Sequence, residues 1–447
     1  MVHDTTSIMP RSILDTDLYK FTMQQAVLRH FSDVEAVYRF THRDQDVYFT
    51  RECYDKFVEA LTHFDELALR ADEREWLAKA CPYFSATYLD YLQSYRFKPA
   101  QIKVTFHPKR PSAPGPRELG KLEIEARGPW LETILWEVPV MATLSEIYFT
   151  TTDRDWSYDG QEEAAYEKTK RLLEAGCTFS EFGTRRRRSY HIQDLVVATM
   201  LRVAKDIPEA KGKVSGTSNV HFAMKYNVAP VGTIAHEWFM AVGALKGYEH
   251  ANGLALDLWE TVYPDVLLLA LTDTFSTEVF FKDFVQDKER AQRWKGLRQD
   301  SGDPYTYAPR AKEVYASLGI DHRQKSIIFS DSVNLDKALK LVKQCREWSL
   351  IWGVGCAALF GIGTWLTNDF PSASRHGEKS RALNMVIKLA GVDGKHCVKI
   401  SDELMKVRPS EMRAEGADAD GGAQNTGDPE TVNYVKKVFD IPEQLST

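Results

Sequence analysis

Two rhythms of apolar and polar residues divide the N-terminal third of the chain. In "ILDTDLYKFTMQQAVLRHF", Leu18, Phe21, Val27 and Phe31 recur at close to helical spacing behind Asp and Thr residues suited to capping, which predicts a helix. "VEAVYRFTHR" instead alternates, with Val34, Ala36, Tyr38 and Phe40 on one side, as in a half-buried strand. "QIKVTF" and "KLEIEA" share that period, and "HPKRPSAPGPRELG" between them reads as a loop from its prolines and glycines. Residues 1–145 are therefore expected to form an α+β domain.

After Tyr148 the texture changes. Short apolar or β-branched runs alternate with helical stretches at spacings of about 17 to 37 residues, the rhythm of βα units. The runs predicted as strands are "CTFSEFG", "GKVSGTS", "APVGTI", "VLLLAL", "KGLRQD", "KSIIFS" and "SLIWGVG". So many units point to a closed parallel barrel over residues 146–379, with its chemistry on the loops after the strands. Within residues 413–429 falls most of "EGADADGGAQNTGDPE", which has no apolar residue larger than Ala and is expected to be a flexible loop. Its end, Asp428-Pro429-Glu430, is a good start for a helix over "TVNYVKKVF". No internal repeat or heptad pattern is visible.

Composition narrows the function classes. The 447 residues are 43% hydrophobic and 27% charged, enough for a large core, and the net charge of −6 argues against a nucleic-acid-wrapping protein. The runner-up reading nonetheless is a nucleic-acid or nucleotide sensor that uses the run "RRRR" at 185–188. No window of about 18 apolar residues predicts a membrane span, and "MVHDTTSIMPRS" lacks the pattern of a secretory signal. The six cysteines contain no CxxC pair, so neither a disulfide framework nor a zinc site is expected. A soluble, cytoplasmic protein is the expectation, with the nucleus also open should "RRRR" be exposed as an import signal.

Candidate chemistry clusters at the strand ends: "EFGTRRRR", "SGTSNVH", "GTIAHEW", "TDTFST", "RQDSGDP", "SDSVN" and "FGIGTW". Any one of these is explained by helix capping; seven on one rim suggest a site. Arg298 offers a planar fork for phosphate, and Asp300 and Asp303 can accept ribose hydroxyls or lie beside magnesium. The bland alternative is a local Arg–Asp pair and a cap. Amides around Gly361, Gly363 and Thr364 can cradle phosphate, although a lone GxG is a weak signal. Of twelve histidines only His236 and His221 lie in such clusters, and His236 can serve as a base or as a nucleophile that carries a group. Tyr19 and Phe182 could sandwich a flat ring or simply pack in the core.

Taken together the chain resembles the nicotinate phosphoribosyltransferase family. The resemblance rests on "LDTDLYKFTM", "LETILWEVPV", "EFGTRRRRS", "GTSNVHFA", "GTIAHEW", "LRQDSGDP", "IIFSDSVN" and "FGIGTWLTND", in that order. It implies an irregular (β/α) barrel of the type II phosphoribosyltransferase kind plus an α+β accessory domain, the latter completed by about residues 380–447. It also implies phosphoribosyl transfer from 5-phosphoribosyl 1-pyrophosphate to nicotinate, coupled to ATP through a phosphohistidine that matches His236.

By the same resemblance Tyr19 and Phe182 stack on the pyridine, while Asp300 and Asp331 hold the ribose hydroxyls. Arg298 and the "FGIGT" amides take the 5-phosphate. Arg185 faces the pyrophosphate or the nicotinate carboxylate, and Thr217 and Asp273 join the substrate-binding set. Ser218 stands where nicotinamide-using relatives carry aspartate, whose charge would repel nicotinate's carboxylate, so the acid is the expected base. Nicotinamide- and quinolinate-using enzymes are the alternatives within the class. Mg2+ is expected on the donor's pyrophosphate with no ligand assigned from the protein. No membrane partner is expected, and a monomer or a homodimer fits equally. If the arginine run is extended, Arg185 and Arg187 share a face and Arg186 and Arg188 the other; the arginines after Arg185 are then left for ion pairs with acidic residues or for a subunit contact.

Overall fold

A computed structural model of the chain describes residues 8–109, 115–347, 358–402 and 425–441. They fall into two compact units, Met1–Thr233 with Ser332–Leu339 and Phe360–Lys388, and Ile234–Asp331 with Lys340–Leu359 and Leu389–Thr447. The fold is α/β, with an antiparallel sheet early in the chain and parallel strand pairing after it. Among the described residues no helix is long and apolar enough to cross a membrane.

In the first unit, strands β1 (Glu35–His42), β2 (Phe49–Thr50), β3 (Ile102–Pro108) and β4 (Leu119–Pro129) are four of the six strands of the antiparallel sheet. β4 is its spine, pairing with β1 (Glu35 opposite Pro129), β2 (Phe49 opposite Gly120) and β3 (Ile102 opposite Ala126). Leu122, Ile124 and Ala126 alternate inward along β4, and Ala36 and Tyr38 do so on β1, as the period of two requires. The predicted helix is present as Leu18–His30, and every residue from Leu18 to Val27 is buried. Its polar side chains are satisfied inside: Thr22 donates to the Thr233 carbonyl at 2.6 Å and Gln24 to the Leu131 carbonyl at 2.8 Å.

Six short strands follow: β5 (Thr178–Glu181), β6 (Lys213–Thr217), β7 (Leu269–Leu271), β8 (Gly296–Gln299), β9 (Ser326–Phe329) and β10 (Leu359–Ile362). In the first unit β5 pairs in parallel with β6, and the Phe182 N–H just past β5 donates to the Ile362 carbonyl at 2.8 Å. In the second unit β8 lies between β7 and β9, all parallel. The second unit's helices His236–Lys246 and Ala251–Val262 bury Trp238 and Trp259, whose indole N–H groups reach the Ala255 and Leu267 carbonyls.

Two strand expectations need comment. "APVGTI" is no strand: Thr217 bridges Pro230, and the Val231 N–H donates to the Thr217 carbonyl at 2.9 Å. Pro230 has no N–H to give a ladder, and Gly232 turns the backbone away with φ +151°. "SLIWGVG" lies outside the described residues, and the strand found is the "LFGI" that follows. The loop expected at 413–429 falls outside the described residues up to position 424. The helix after it runs Pro429–Val438, with Asp428 capping Thr431 N at 3.0 Å.

Candidate active site

Parallel strands bring their C-terminal ends to one edge, which is where the polar strand-end residues of the second unit meet. Thr274 follows β7, Asp300 follows β8, Ser330 follows β9, and His236 opens the helix His236–Lys246. The His236 ring is held from both sides. Nδ1 lies 3.0 Å from Thr274 Oγ1, while Nε2 lies 3.1 Å from Asp300 Oδ2 and 3.0 Å from Lys399 Nζ. Asp273 Oδ2 stands 3.9 Å from Nε2 and accepts the Ser301 hydroxyl at 2.5 Å. Among the described residues Asp273 Oδ1 is a buried acceptor with no hydrogen-bond partner.

Burial and then the Lys399 ammonium push the His236 pKa below its ordinary value, against the pull of Asp273 and Asp300. The imidazole is therefore neutral at pH 7 and has a lone pair to offer. Asp300 behaves oppositely. Burial raises its pKa, but Arg298, His236 and Lys399 together hold it well below the carboxylate range. Arg298 Nη2 is 3.2 Å from Asp300 Oδ1 and its Nε donates to Ser330 Oγ at 2.9 Å. The local Arg–Asp pair of the bland reading is thus present. Asp303 is a cap, accepting from Tyr305 N at 3.0 Å at the head of helix Pro304–Ser317. Asp331 is half-buried in the turn after β9.

The first unit gathers a second polar cluster. Ser218 Oγ donates to Asp17 Oδ1 at 2.8 Å, and burial raises the Asp17 pKa. Thr217 Oγ1 donates to Glu181 Oε2 at 2.6 Å, and Glu181 also accepts from Gln193 and from the Gly183 N–H. Glu181 thereby fixes the turn after β5 in which Phe182 and Gly183 sit. A Cβ at Gly183 would overlap the Thr367 side chain, so this approach requires glycine. Beyond it, Gly361 lies on β10, Gly363 precedes the short helix Thr364–Thr367, and Gly363 packs against the Phe182 carbonyl. Tyr19 is buried on the helix Leu18–His30, with the Lys20 ammonium 5.7 Å from its ring centre, and Phe182 is half-buried. His221 is paired with the Tyr190 hydroxyl at 2.9 Å.

The arginine run is not extended. Thr184–Arg186 form a 3-10 turn, so the alternation of faces fails and the four side chains take four directions. Arg185 Nη1 reaches Glu137 Oε1 at 3.2 Å, and Arg186 Nε donates to the Met385 carbonyl at 2.9 Å. Arg187 binds both oxygens of the buried Asp15, at 2.8 and 2.9 Å. Arg188 is enclosed by aromatic rings, 3.6 Å from the centre of Phe149 and 4.3 Å from that of Phe370, with its pKa pushed down by burial to about 9. With Arg187 and Arg188 at 2% and 0% exposure, the run cannot act as an exposed import signal or nucleic-acid stripe.

Comparison with known proteins gives the family of the chain. The nicotinate phosphoribosyltransferase (NAPRTase) family profile matches residues 177–443, and the profile of its N-terminal domain matches residues 14–145. The chain belongs to the nicotinate phosphoribosyltransferase family. A nicotinate phosphoribosyltransferase of Methanosarcina acetivorans is 42% identical over 414 residues, covering 89% of this chain and 95% of its own. That of Saccharomyces cerevisiae is 38% identical over 444 residues, covering 97% and 96%. A Saccharomyces cerevisiae crystal structure superposes with a TM-score of 0.88 at 37% identity, covering 98% of this chain and 100% of that one.

Sequence reasoning missed three charged residues that the nicotinate phosphoribosyltransferase fold puts in these clusters. Lys20 is fully buried with its ammonium 2.5 Å from Glu137 Oε2, so Glu137 is shared between Lys20 and Arg185. The available signals were a lysine inside the otherwise uncharged "LYKFTMQQAVL" and a glutamate in the motif "LETILWEVPV". Lys399 had no comparable signal, since "VKISD" has no motif character of its own.

Proposed function

We propose that this chain makes nicotinate mononucleotide and pyrophosphate from nicotinate and 5-phosphoribosyl 1-pyrophosphate, in salvage of nicotinate for NAD, and couples the transfer to ATP through His236. The observation that carries the coupling is the half-buried His236 imidazole held between Thr274 and Asp300, with its pKa pushed below the ordinary value. In this reading the pyridine nitrogen attacks ribose C1 as pyrophosphate leaves. Charge placed in advance around the sugar and the leaving group does most of the work. Residues 146–379 are read as the barrel and residues 1–145, with about 380–447, as the accessory domain.

Roles are assigned unit by unit. The first supplies Tyr19 and Phe182 for the pyridine ring, Arg185 for an anionic substrate group, Thr217 and Ser218 for base recognition, and Gly361, Gly363 and Thr364 for phosphate. The second supplies Arg298 for phosphate, Asp300 and Asp331 for ribose hydroxyls, and Asp273 as an open acceptor. Among the described residues no group of three or more His, Cys, Asp or Glu is arranged to hold a metal. Mg2+ is read as riding on the donor's pyrophosphate, where it would offset negative charge as the leaving group departs. The location is read as cytoplasmic.

Base choice is the test. With nicotinate or nicotinamide as the only base, product should form from the acid alone. Nicotinamide mononucleotide formed at a comparable kcat/KM would contradict the assignment.

Ser218→Asp should lower kcat/KM for nicotinate by tenfold or more, an effect of about 1.4 kcal/mol or more. Because Ser218 already donates to Asp17, the new carboxylate would face Asp17 as well as substrate. Ser218→Asn, of the same size without the charge, should lose less. Full nicotinate activity in Ser218→Asp would remove Ser218 from base selection.

A further inference from the structure

We propose that Lys20 is a positioning residue for the transfer: it offsets the charge of Glu137, so that Arg185, which Glu137 holds in place, presents a net positive charge to an anionic group of the substrates. This rests on the reading of Arg185 as the arginine that meets such a group.

Three elements of the first unit bring the charges together. Lys20 is on the helix Leu18–His30, Glu137 opens the helix Glu137–Thr151, and Arg185 is in the 3-10 turn Thr184–Arg186. Glu137 Oε2 lies 2.5 Å from Lys20 Nζ, and Glu137 Oε1 accepts from Arg185 Nη1 at 3.2 Å, so each cation meets its own carboxylate oxygen. The helix Glu137–Thr151 is fastened to the arginine turn farther along as well. There Ser145 Oγ donates to the Arg187 carbonyl at 2.7 Å, and Glu146 Oε2 accepts from the Tyr190 N–H at 2.9 Å. Glu137 is thereby fixed relative to the backbone of the turn, and the guanidinium bound to it is held in one direction.

Exposure separates the roles. The side chains of Lys20 and Glu137 are 0% and 9% exposed, and that of Arg185 is 41% exposed. Lys20 has no path to a substrate, so the attraction that the trio exerts on an anion acts through Arg185. Burying an ammonium is costly, and the rings of Tyr19 and Tyr38, centred 5.7 and 5.6 Å from Nζ, offset part of that cost.

The charges then decide what Arg185 can do. Burial raises the Glu137 pKa, but Lys20 and then Arg185 outweigh it and hold the carboxyl below its ordinary value, so Glu137 is an anion at pH 7. An arginine–carboxylate pair alone has no net charge and attracts a third ion weakly. With the Lys20 ammonium added, the trio carries one positive charge. Asp17 makes that addition matter more, since this buried acid also lies in the field of Arg185.

The test is kcat/KM of the full chain, measured in turn for nicotinate and for 5-phosphoribosyl 1-pyrophosphate. The variants are Lys20→Met, Lys20→Gln and Lys20→Met/Glu137→Gln, each also unfolded in urea. Lys20→Met leaves Glu137 and Arg185 as a neutral pair. It should lower kcat/KM for at least one of the two anions about tenfold, the scale of one unit charge felt across a partly buried site. Lys20→Gln can still donate a hydrogen bond to Glu137 and should show the same loss, because the charge is gone. Lys20→Met/Glu137→Gln removes both buried charges and returns the positive charge of Arg185. It should recover most of the kcat/KM lost in Lys20→Met, whatever its unfolding midpoint. Should Lys20→Met not fold, Lys20→Gln and the double variant carry the comparison. Full kcat/KM in a folded Lys20→Met, Lys20→Gln as active as wild type, or a double variant no better than the single ones would each overturn the proposal and leave Lys20 as a packing residue. Arg185→Met is the separate control. Unchanged kcat/KM for both substrates there would overturn the reading of Arg185, and this proposal with it.

Discussion

Replacing His236 with alanine should abolish ATP stimulation of nucleotide formation and leave slow, ATP-independent transfer. Coupling requires a nitrogen nucleophile, and alanine supplies none. The transfer itself needs no bond to His236, since the pyridine nitrogen is the nucleophile. The surroundings support this division. Asp300 has partners besides His236, with Arg298 at 3.2 Å and the Ser330 hydroxyl at 2.6 Å, so its carboxylate should stay charged and oriented without the imidazole. Rates with and without ATP should therefore become equal in His236→Ala. Complete loss of transfer with donor binding intact would assign His236 a direct part in the chemistry.

The second large effect concerns stability. Arg187→Met should destabilise the protein by about 3–5 kcal/mol, because it leaves the Asp15 carboxylate buried without its partner. Asp15 is fully enclosed and would keep only neutral donors such as Asn219 Nδ2 at 2.8 Å. Burial raises the Asp15 pKa, but Arg187 outweighs it and the folded-state value is lowered. A lowered carboxylate pKa contributes stability above the unfolded value near 3.8, and that stability is lost as pH falls through the folded value. Urea unfolding at pH 7 should show a large wild-type advantage, and the wild type's own share of it should be lost only as pH falls below 3.8 and through the folded-state value of Asp15. Equal midpoints at pH 7 would mean that the pair contributes nothing. Arg188→Met should behave differently, since its neighbours are rings and the Ser380 oxygens rather than a carboxylate in contact.

These arginines show where the sequence was legible and where it was not. Period-two alternation in "KLEIEA" and "VEAVYRFTHR" reports directly on one buried face, and both became strands. The strand-end clusters were legible for a similar reason, because parallel strands must deliver their C-terminal residues to a common edge. His236, Asp273, Asp300 and Arg298 meet accordingly. Periodicity could not see that "FGTRRRR" turns, since the turn is set by Glu181 accepting the Gly183 N–H and by the contact of Gly183 with Thr367, far away in sequence. A helix buried from Leu18 to Val27 has no solvent-facing stripe there, so spacing alone does not show that Lys20 is enclosed. Lys399 is the extreme case. Its place beside His236 depends on a bridge between residues 275 and 400 that no local pattern encodes.

The most direct test of the central claim is product formation by the purified full chain with nicotinate, 5-phosphoribosyl 1-pyrophosphate and Mg2+, with and without ATP. The account predicts nicotinate mononucleotide in both reactions, formed faster and to a higher product ratio when ATP is present and hydrolysed. Folded protein that forms no nicotinate mononucleotide under either condition would contradict it.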